Sequence, residues 1–274
     1  MQILDNYGFL KRPRCQFSKK MVHFGLLAVL VLSASSCRKT ASAPPAAPPV
    51  ISSEEALRQA DDLYARREDL MNVRKAIVAL KQAQAGEPPN YDLAWRLAKL
   101  NYYIGAHSSD ASEKDKAFHD GIEAGKLAVQ LSGDKPDGHF WLGANYGGNA
   151  QINTLAGLAD VEDIKREMET VLKMDERYQA GSAYMVLGEV YLEAPRLLGG
   201  DTEKAIENLE KGKRAGPDNA LIRSHLAQAY AQANRPDDAR KEIEALLAMK
   251  PAAGYEPEYN EAVTQARTLQ QKLK

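Results

Sequence analysis

Five histidines, two cysteines and several acidic pairs are the side chains in this 274-residue sequence that could carry catalysis or hold a metal. The histidines are His23, His107, His119, His139 and His225. No two of them stand at the His-x3-His spacing that puts both imidazoles on one helix face, and no His-Glu-x-x-His occurs. Cys15 and Cys37 are too few for a disulfide scaffold or a multi-cysteine zinc site. No Gly-x-Ser-x-Gly elbow is present. Gly147-Gly148 and Gly199-Gly200 lack the Gly-Lys-Ser/Thr of a phosphate loop, and both read as turns or helix ends. Asp61-Asp62 and Asp237-Asp238 fall near helix starts or on polar faces, where solvated carboxylates are expected. These residues point to no enzyme, no cofactor and no metal.

The unusual cluster is aromatic: Trp95, Tyr102, Tyr103, His139, Phe140, Trp141 and Tyr146, with Asn145 among them. Both tryptophans of the chain belong to it. Two readings stand side by side. Aromatic rings pack well between helices and would then be core. Alternatively they line a largely apolar pocket, to which His139 and Asn145 add polar groups.

What must position these rings is helical. Beyond Ser52 the chain shows no sustained period-2 alternation, and its segments of 12–18 residues are rich in Ala, Leu, Glu, Lys and Arg. Ser52-x-x-Glu55 predicts a capped helix start. The segments repeat. Leu142-Gly143-x-x-Tyr146, Leu187-Gly188-x-x-Tyr191 and Leu226-Ala227-x-x-Tyr230 share one pattern. Following segments carry Ala205, Leu209, Gly212 and Pro217, then Ala239, Ile243, Leu246 and Pro251, each shifted by 34 residues. Ala76, Leu80, Ala83 and Pro88 repeat that internal spacing. Small residues let paired helices approach to about 8–10 Å, and proline ends the second helix.

A helix-pair period of 34 resembles the tetratricopeptide repeat, TPR. The sequence therefore predicts an all-α, TPR-like right-handed solenoid of about four helix pairs, with a C-terminal capping helix over 257–274. Three departures stand out. A five-residue excess between Leu187 and Leu226 falls in residues 193–201. Residues 105–116 read as a long polar loop. The third repeat is stretched from Gly147 to about Asp163, with an apolar patch at Leu155, Leu158 and Val161. An insertion there should splay the pair and open a cavity where the aromatics converge.

Ahead of this domain lies a leader, 1–36. Lys11, Arg12, Arg14, Lys19 and Lys20 precede an apolar run of eleven residues, Val22 to Leu32, broken only by His23. A bilayer-spanning helix needs about 20 residues, so the run fits a secretory signal. Ala34-Ser35-Ser36-Cys37 resembles a bacterial lipobox, which implies lipidation of Cys37, although Leu is usual where Ala34 stands. An ordinary signal peptide with an incidental Cys is the other reading. Met21 offers a later start. Arg38 after Cys37 resembles an outer-membrane address. Residues 37–51 follow as the lipidated Cys and an Ala/Pro-rich tether with Pro44, Pro45, Pro48 and Pro49; 52–274 form the helical domain.

Whole-chain composition, 44% hydrophobic and 27% charged, is globular. A net charge of −1 argues against nucleic acid as a partner. Residues 37–274 carry 31 Lys and Arg against 36 Asp and Glu.

Several stretches go beyond a generic repeat: Ala60-Asp61-Asp62-Leu63-Tyr64, Ala94-Trp95-Arg96-Leu97-Ala98, Gly138-His139-Phe140-Trp141-Leu142-Gly143, Leu187-Gly188-Glu189-Val190-Tyr191, and Pro195 with Gly199-Gly200-Asp201 and Lys204-Ala205. Over about 54–272 these resemble the TPR lipoproteins that form the T component of tripartite ATP-independent periplasmic (TRAP) transporters. The Trp-Arg-Leu-Ala and His-x-Trp elements are also similar to the regulator-of-microtubule-dynamics proteins, but the leader favours the bacterial family. That resemblance implies a lipid-anchored periplasmic scaffold that engages the transporter's substrate-binding protein. It further implies a homo-oligomer, a trimer, and an internal channel or pocket for a small apolar ligand. A generic envelope scaffold joining other proteins without a transporter is the alternative.

Overall fold

The computed structural model describes residues 51–273. The leader, Cys37 and the tether lie outside the described residues. Eleven α-helices and no strand make up the described chain. They are α1 (Ser53–Tyr64), α2 (Leu70–Gly86), α3 (Tyr91–His107), α4 (Ala111–Leu131), α5 (Pro136–Ile152), α6 (Thr154–Met174), α7 (Ser182–Glu193), α8 (Thr202–Ala215), α9 (Ala220–Gln232), α10 (Pro236–Leu247) and α11 (Glu256–Lys272).

Short polar side chains start these helices by accepting orphan backbone N–H groups. Ser52 accepts from the Glu55 N–H, Asn90 from Asp92 and Leu93, Asp110 from Glu113, and Asn219 from Leu221 and Ile222. Pro136 and Pro236 enter α5 and α10 in the first turn, where a missing N–H costs nothing. The repeated small and branched positions are all buried: Ala76, Leu80 and Ala83 on α2, Ala205 and Leu209 on α8, Ala239, Ile243 and Leu246 on α10. Most lie in core clusters shared with neighbouring helices, including the helix that follows each pair.

Five pairs form, α1/α2 through α9/α10, one more than the repeat pattern marks, and α11 caps the stack. Odd-numbered helices pack one against the next along an inner layer, while each even-numbered helix lies outside its neighbours. The architecture is a TPR-like right-handed solenoid.

Two expected loops are helix instead. α3 runs to His107 and α4 begins at Ala111, so the 105–116 stretch is only a short connection, closed by the Ser108 Oγ–Glu113 Oε2 bond of 2.5 Å. α5 continues through Gly147 and Gly148 to Ile152, and a single residue, Asn153, separates it from α6. The surplus residues of the third repeat lengthen two helices, to 17 and 21 residues, rather than parting them. The glycines explain why. A Cβ on Gly105 would meet the Phe118 ring at 2.6 Å, and one on Gly148 would strike the same ring. Phe118 of α4 is thus clamped between bare backbone of α3 and α5, and these glycines serve close packing, not turns.

The 193–201 excess does form a loop: a 3₁₀ turn, Arg196–Leu198, ending at Gly199 with φ of 88°. The solenoid also closes on itself. The buried Arg67, just after α1, donates to Glu258 at 2.6 Å and to the Gly254 carbonyl at 2.7 Å, at the start of α11. The two ends of the domain therefore touch.

Candidate functional site

The aromatic cluster divides between two neighbourhoods. Tyr102, Phe140 and Trp141 come together: Trp141 lies 5.7 Å from Tyr102 and 5.0 Å from Phe140, ring centre to ring centre. Phe140 continues to Tyr178 at 5.3 Å. Tyr103, one residue round α3, points the other way into the first core cluster, edge-on to Tyr64 and stacked on His107 at 4.0 Å. Trp95 sits half-buried at the edge, its Nε1 donating to Asp92 at 3.2 Å and its ring covered by Arg96 at 4.3 Å. Tyr146 is partly buried against the second cluster.

His139 and Asn145 hold the framework. His139 Nδ1 meets Glu167 at 2.6 Å and its Nε2 meets the Gly133 carbonyl at 3.0 Å. Both contacts are acceptors, so the ring is satisfied as an imidazolium. Accordingly the Glu167 hydrogen bond raises the His139 pKa above its ordinary 6.5, against a smaller opposing effect of burial. Burial would raise the Glu167 carboxyl, but His139 and Arg166 outweigh it and lower its pKa. Asn145, fully buried, donates from Nδ2 to the Trp141 carbonyl at 2.6 Å and to the Ala98 carbonyl at 3.0 Å. That ties α5 to α3. Tyr91 and Tyr178 both donate to Asp137, at 3.1 and 2.7 Å, fixing the start of α5.

Charged groups to which the sequence reading gave no role also pair between helices. His225 of α9 bonds Glu189 of α7 through Nε2 at 2.8 Å. Burial opposes charge on His225, yet Glu189, Glu193 and Glu261 prevail and raise its pKa. Glu189 and Glu261 also act on the Tyr102 phenol, whose pKa burial already raises. The His225–Glu189 bond thus ties α9 to α7. Lys99 of α3 stands over the Tyr64 ring at 3.9 Å, and burial lowers its pKa to about 8. A lone lysine inside the apolar run Leu97-Ala98-Lys99-Leu100 is the signal that could have found it.

Among the described residues no group of three His, Cys, Asp or Glu side chains is placed to hold a metal ion. Two buried polar atoms of α5, Trp141 Nε1 and Asn145 Oδ1, have no hydrogen-bond partner, and Asn145 Oδ1 lies against Gly121 of α4.

The family model described as TRAP transporter T-component matches residues 109–272. Among solved structures, a thermophilic TPR protein of Thermus thermophilus superposes with a TM-score of 0.59 at 21% identity, covering 79% of this chain and 100% of that one. PilF of Pseudomonas aeruginosa gives 0.51 at 16% identity, covering 80% and 92%. No curated protein matches the sequence.

Proposed function

The chain belongs to the TRAP transporter T-component family, and from that premise we propose that it is a non-catalytic, lipid-anchored periplasmic scaffold for a TRAP transporter's substrate-binding protein. Family membership implies association with the cell envelope and with TRAP transport. The finer reading is ours: Cys37 carries the lipid and anchors the chain to the outer membrane. Residues 38–51 then hold the domain off the bilayer, and the assembled form is a homotrimer. No helix among the described residues is long and apolar enough to cross a membrane, so within the described residues no helical anchor competes with Cys37.

The observation that carries the reading is the family match lying on a TPR solenoid whose ends meet through Arg67 and Glu258. In this reading the protein partner docks on the solenoid surface, and a small apolar or amphipathic molecule would sit beside the cluster of Trp95, Tyr102 and Trp141.

Metabolic labelling with a palmitate analogue tests the anchor: the wild type should be labelled and Cys37→Ser should not. A wild type that stays soluble and unlabelled overturns the lipoprotein reading. Native mass spectrometry after gentle purification tests the ligand. An adduct should accompany the wild type and disappear in Trp141→Ala; its absence from the wild type would remove the ligand half of the proposal.

A further inference from the structure

The first helix pair carries a groove on its surface, lined by α1 and α2 alone, with a volume of about 370 Å³. Its floor is apolar, with Leu63 9% and Ala79 5% exposed. Its rim is apolar as well: Met71 is 49% and Val78 55% exposed. These two stand seven residues apart, so they share one face of α2 about 10 Å along its axis. Single exposed apolar side chains are ordinary, but two on one stripe over a buried apolar floor make a patch. The end units of a repeat array normally turn a polar face to solvent, and the first pair here does not.

Charge says what the patch fits. The charged side chains lining the groove, Arg74 and Lys75, are both cationic, and the rest of its polar lining is neutral amide. Glu113 holds Arg74 on two arms, at 2.7 and 2.8 Å. Lys75 is exposed between Met71 and Val78, one turn from the first and just under one from the second. Glu68 and Asp69 are exposed just ahead of Met71. They oppose an anionic bilayer pressed over the whole patch, and they set an occupant's acids toward Lys75.

Shape narrows the occupant further. The groove follows α2 from Met71 to Gln82, about three helical turns. A helix satisfies its own backbone, whereas an extended strand laid on two helices would find no ladder for its N–H and C=O groups. Ridges of one helix seat in such grooves, and a flexible Met side chain adapts to the apolar residues that arrive.

We infer that the α1–α2 groove docks an amphipathic helix of a partner protein, its apolar stripe on Leu63, Met71 and Val78 and a carboxylate on Lys75. This rests on the reading that a protein docks on the solenoid surface. It does not rest on that protein's being a TRAP component, because the groove precedes residue 109, where the family match begins.

Fluorescence anisotropy on the full chain in phosphatidylcholine nanodiscs tests it with a labelled, stapled 15-residue helix that carries a leucine stripe flanked by glutamates. Two control helices replace the glutamates by lysines or the leucines by glutamines. The acidic helix should bind saturably with a Kd below about 100 μM, and each control at least tenfold more weakly. Val78→Glu should weaken the acidic helix at least tenfold. Lys75→Glu should reverse the preference toward the lysine helix, which a loss of folding cannot do. Leu131→Ser, at an exposed apolar residue of α4, should change nothing. Thermal melts confirm that each variant folds. No binding of the acidic helix, equal binding of all three, or binding indifferent to Val78→Glu overturns the inference. So does binding that appears only in Cys37→Ser freed from the bilayer, only after residues 38–50 are exchanged for Gly and Ser, or only on dilution. Those results give the groove to the bilayer, to the chain's own tether or to a second copy. An acidic helix that binds while the TRAP substrate-binding protein does not would leave the groove standing and remove the TRAP reading; the reverse would do the opposite.

Discussion

Gly188 and Gly147 lie in helix interiors, and the structure assigns them opposite responses to a larger side chain. A Cβ on Gly188 would stand 2.6 Å from Leu209 Cγ, with the two Leu209 methyls at 2.9 and 3.1 Å. Comfortable carbon contacts are about 3.5–4.0 Å, so one atom already demands a shift of about 1 Å. Leu209 is fully buried and cannot yield toward solvent. Gly188→Ala sets an overpacking cost of about 1–3 kcal/mol against a helix-propensity gain of about 1 kcal/mol, and should come out neutral to mildly destabilising. Gly188→Leu adds three further carbons to the same contact and should cost about 3 kcal/mol. For a domain of this size that lowers the melting temperature by roughly 6–12 °C. Gly147 has nothing within 4 Å of its Cβ position. Gly147→Ala should therefore gain about 1 kcal/mol, or roughly 2–4 °C. Thermal melts followed by circular dichroism at 222 nm read both. A double-mutant cycle between Gly188→Ala and Leu209→Ala should show coupling of about 0.5–3 kcal/mol. A Gly188→Leu melt within 1 °C of wild type, or Gly147→Ala falling as far as Gly188→Leu, would refute the assigned register of α7 on α8.

His139 has its pKa raised above 6.5, so its bond to Glu167 stabilises the fold fully below that value and the contribution fades as pH rises through the elevated pKa. Denaturant midpoints should fall above pH 6.5, and His139→Gln should flatten that slope. Ala180 sits in the left-handed region with φ of 51°. Ala180→Gly should stabilise by about 1 kcal/mol, and an unchanged or lower melt would contradict that backbone. Arg67→Ala leaves Glu258 half-buried without its partner and should cost about 1–3 kcal/mol. Hydrogen exchange should then quicken in α1 and α11 before the outer helices; uniform quickening would contradict closure through this pair.

What the sequence could show depended on distance along the chain. Ala76, Leu80 and Ala83 repeat the spacing of Ala205, Leu209 and Gly212 because each set is the buried face of the second helix of a pair, and local periodicity records that directly. Residues 105–116 and 147–163 misled because glycine and polar residues read as turns. Gly105 and Gly148 instead leave room for Phe118, a contact visible only once α3, α4 and α5 are stacked. The aromatic cluster was legible as a cluster but not in its division, since Tyr102 and Tyr103 lie one residue apart and turn to different helices. Arg67 and Glu258 are 191 residues apart. Their meeting depends on the accumulated turn of five helix pairs, which no local pattern encodes. The same holds for the Glu189–His225 pair, which joins α7 to α9.

The central claim, that this chain is the scaffold of a TRAP system, is tested most directly by titrating the full chain in nanodiscs with the TRAP substrate-binding protein from the same genome. Saturable binding with a Kd of about 10 μM or tighter is the predicted result. No binding at tenfold higher concentration, with both proteins folded and the chain lipidated, would contradict it.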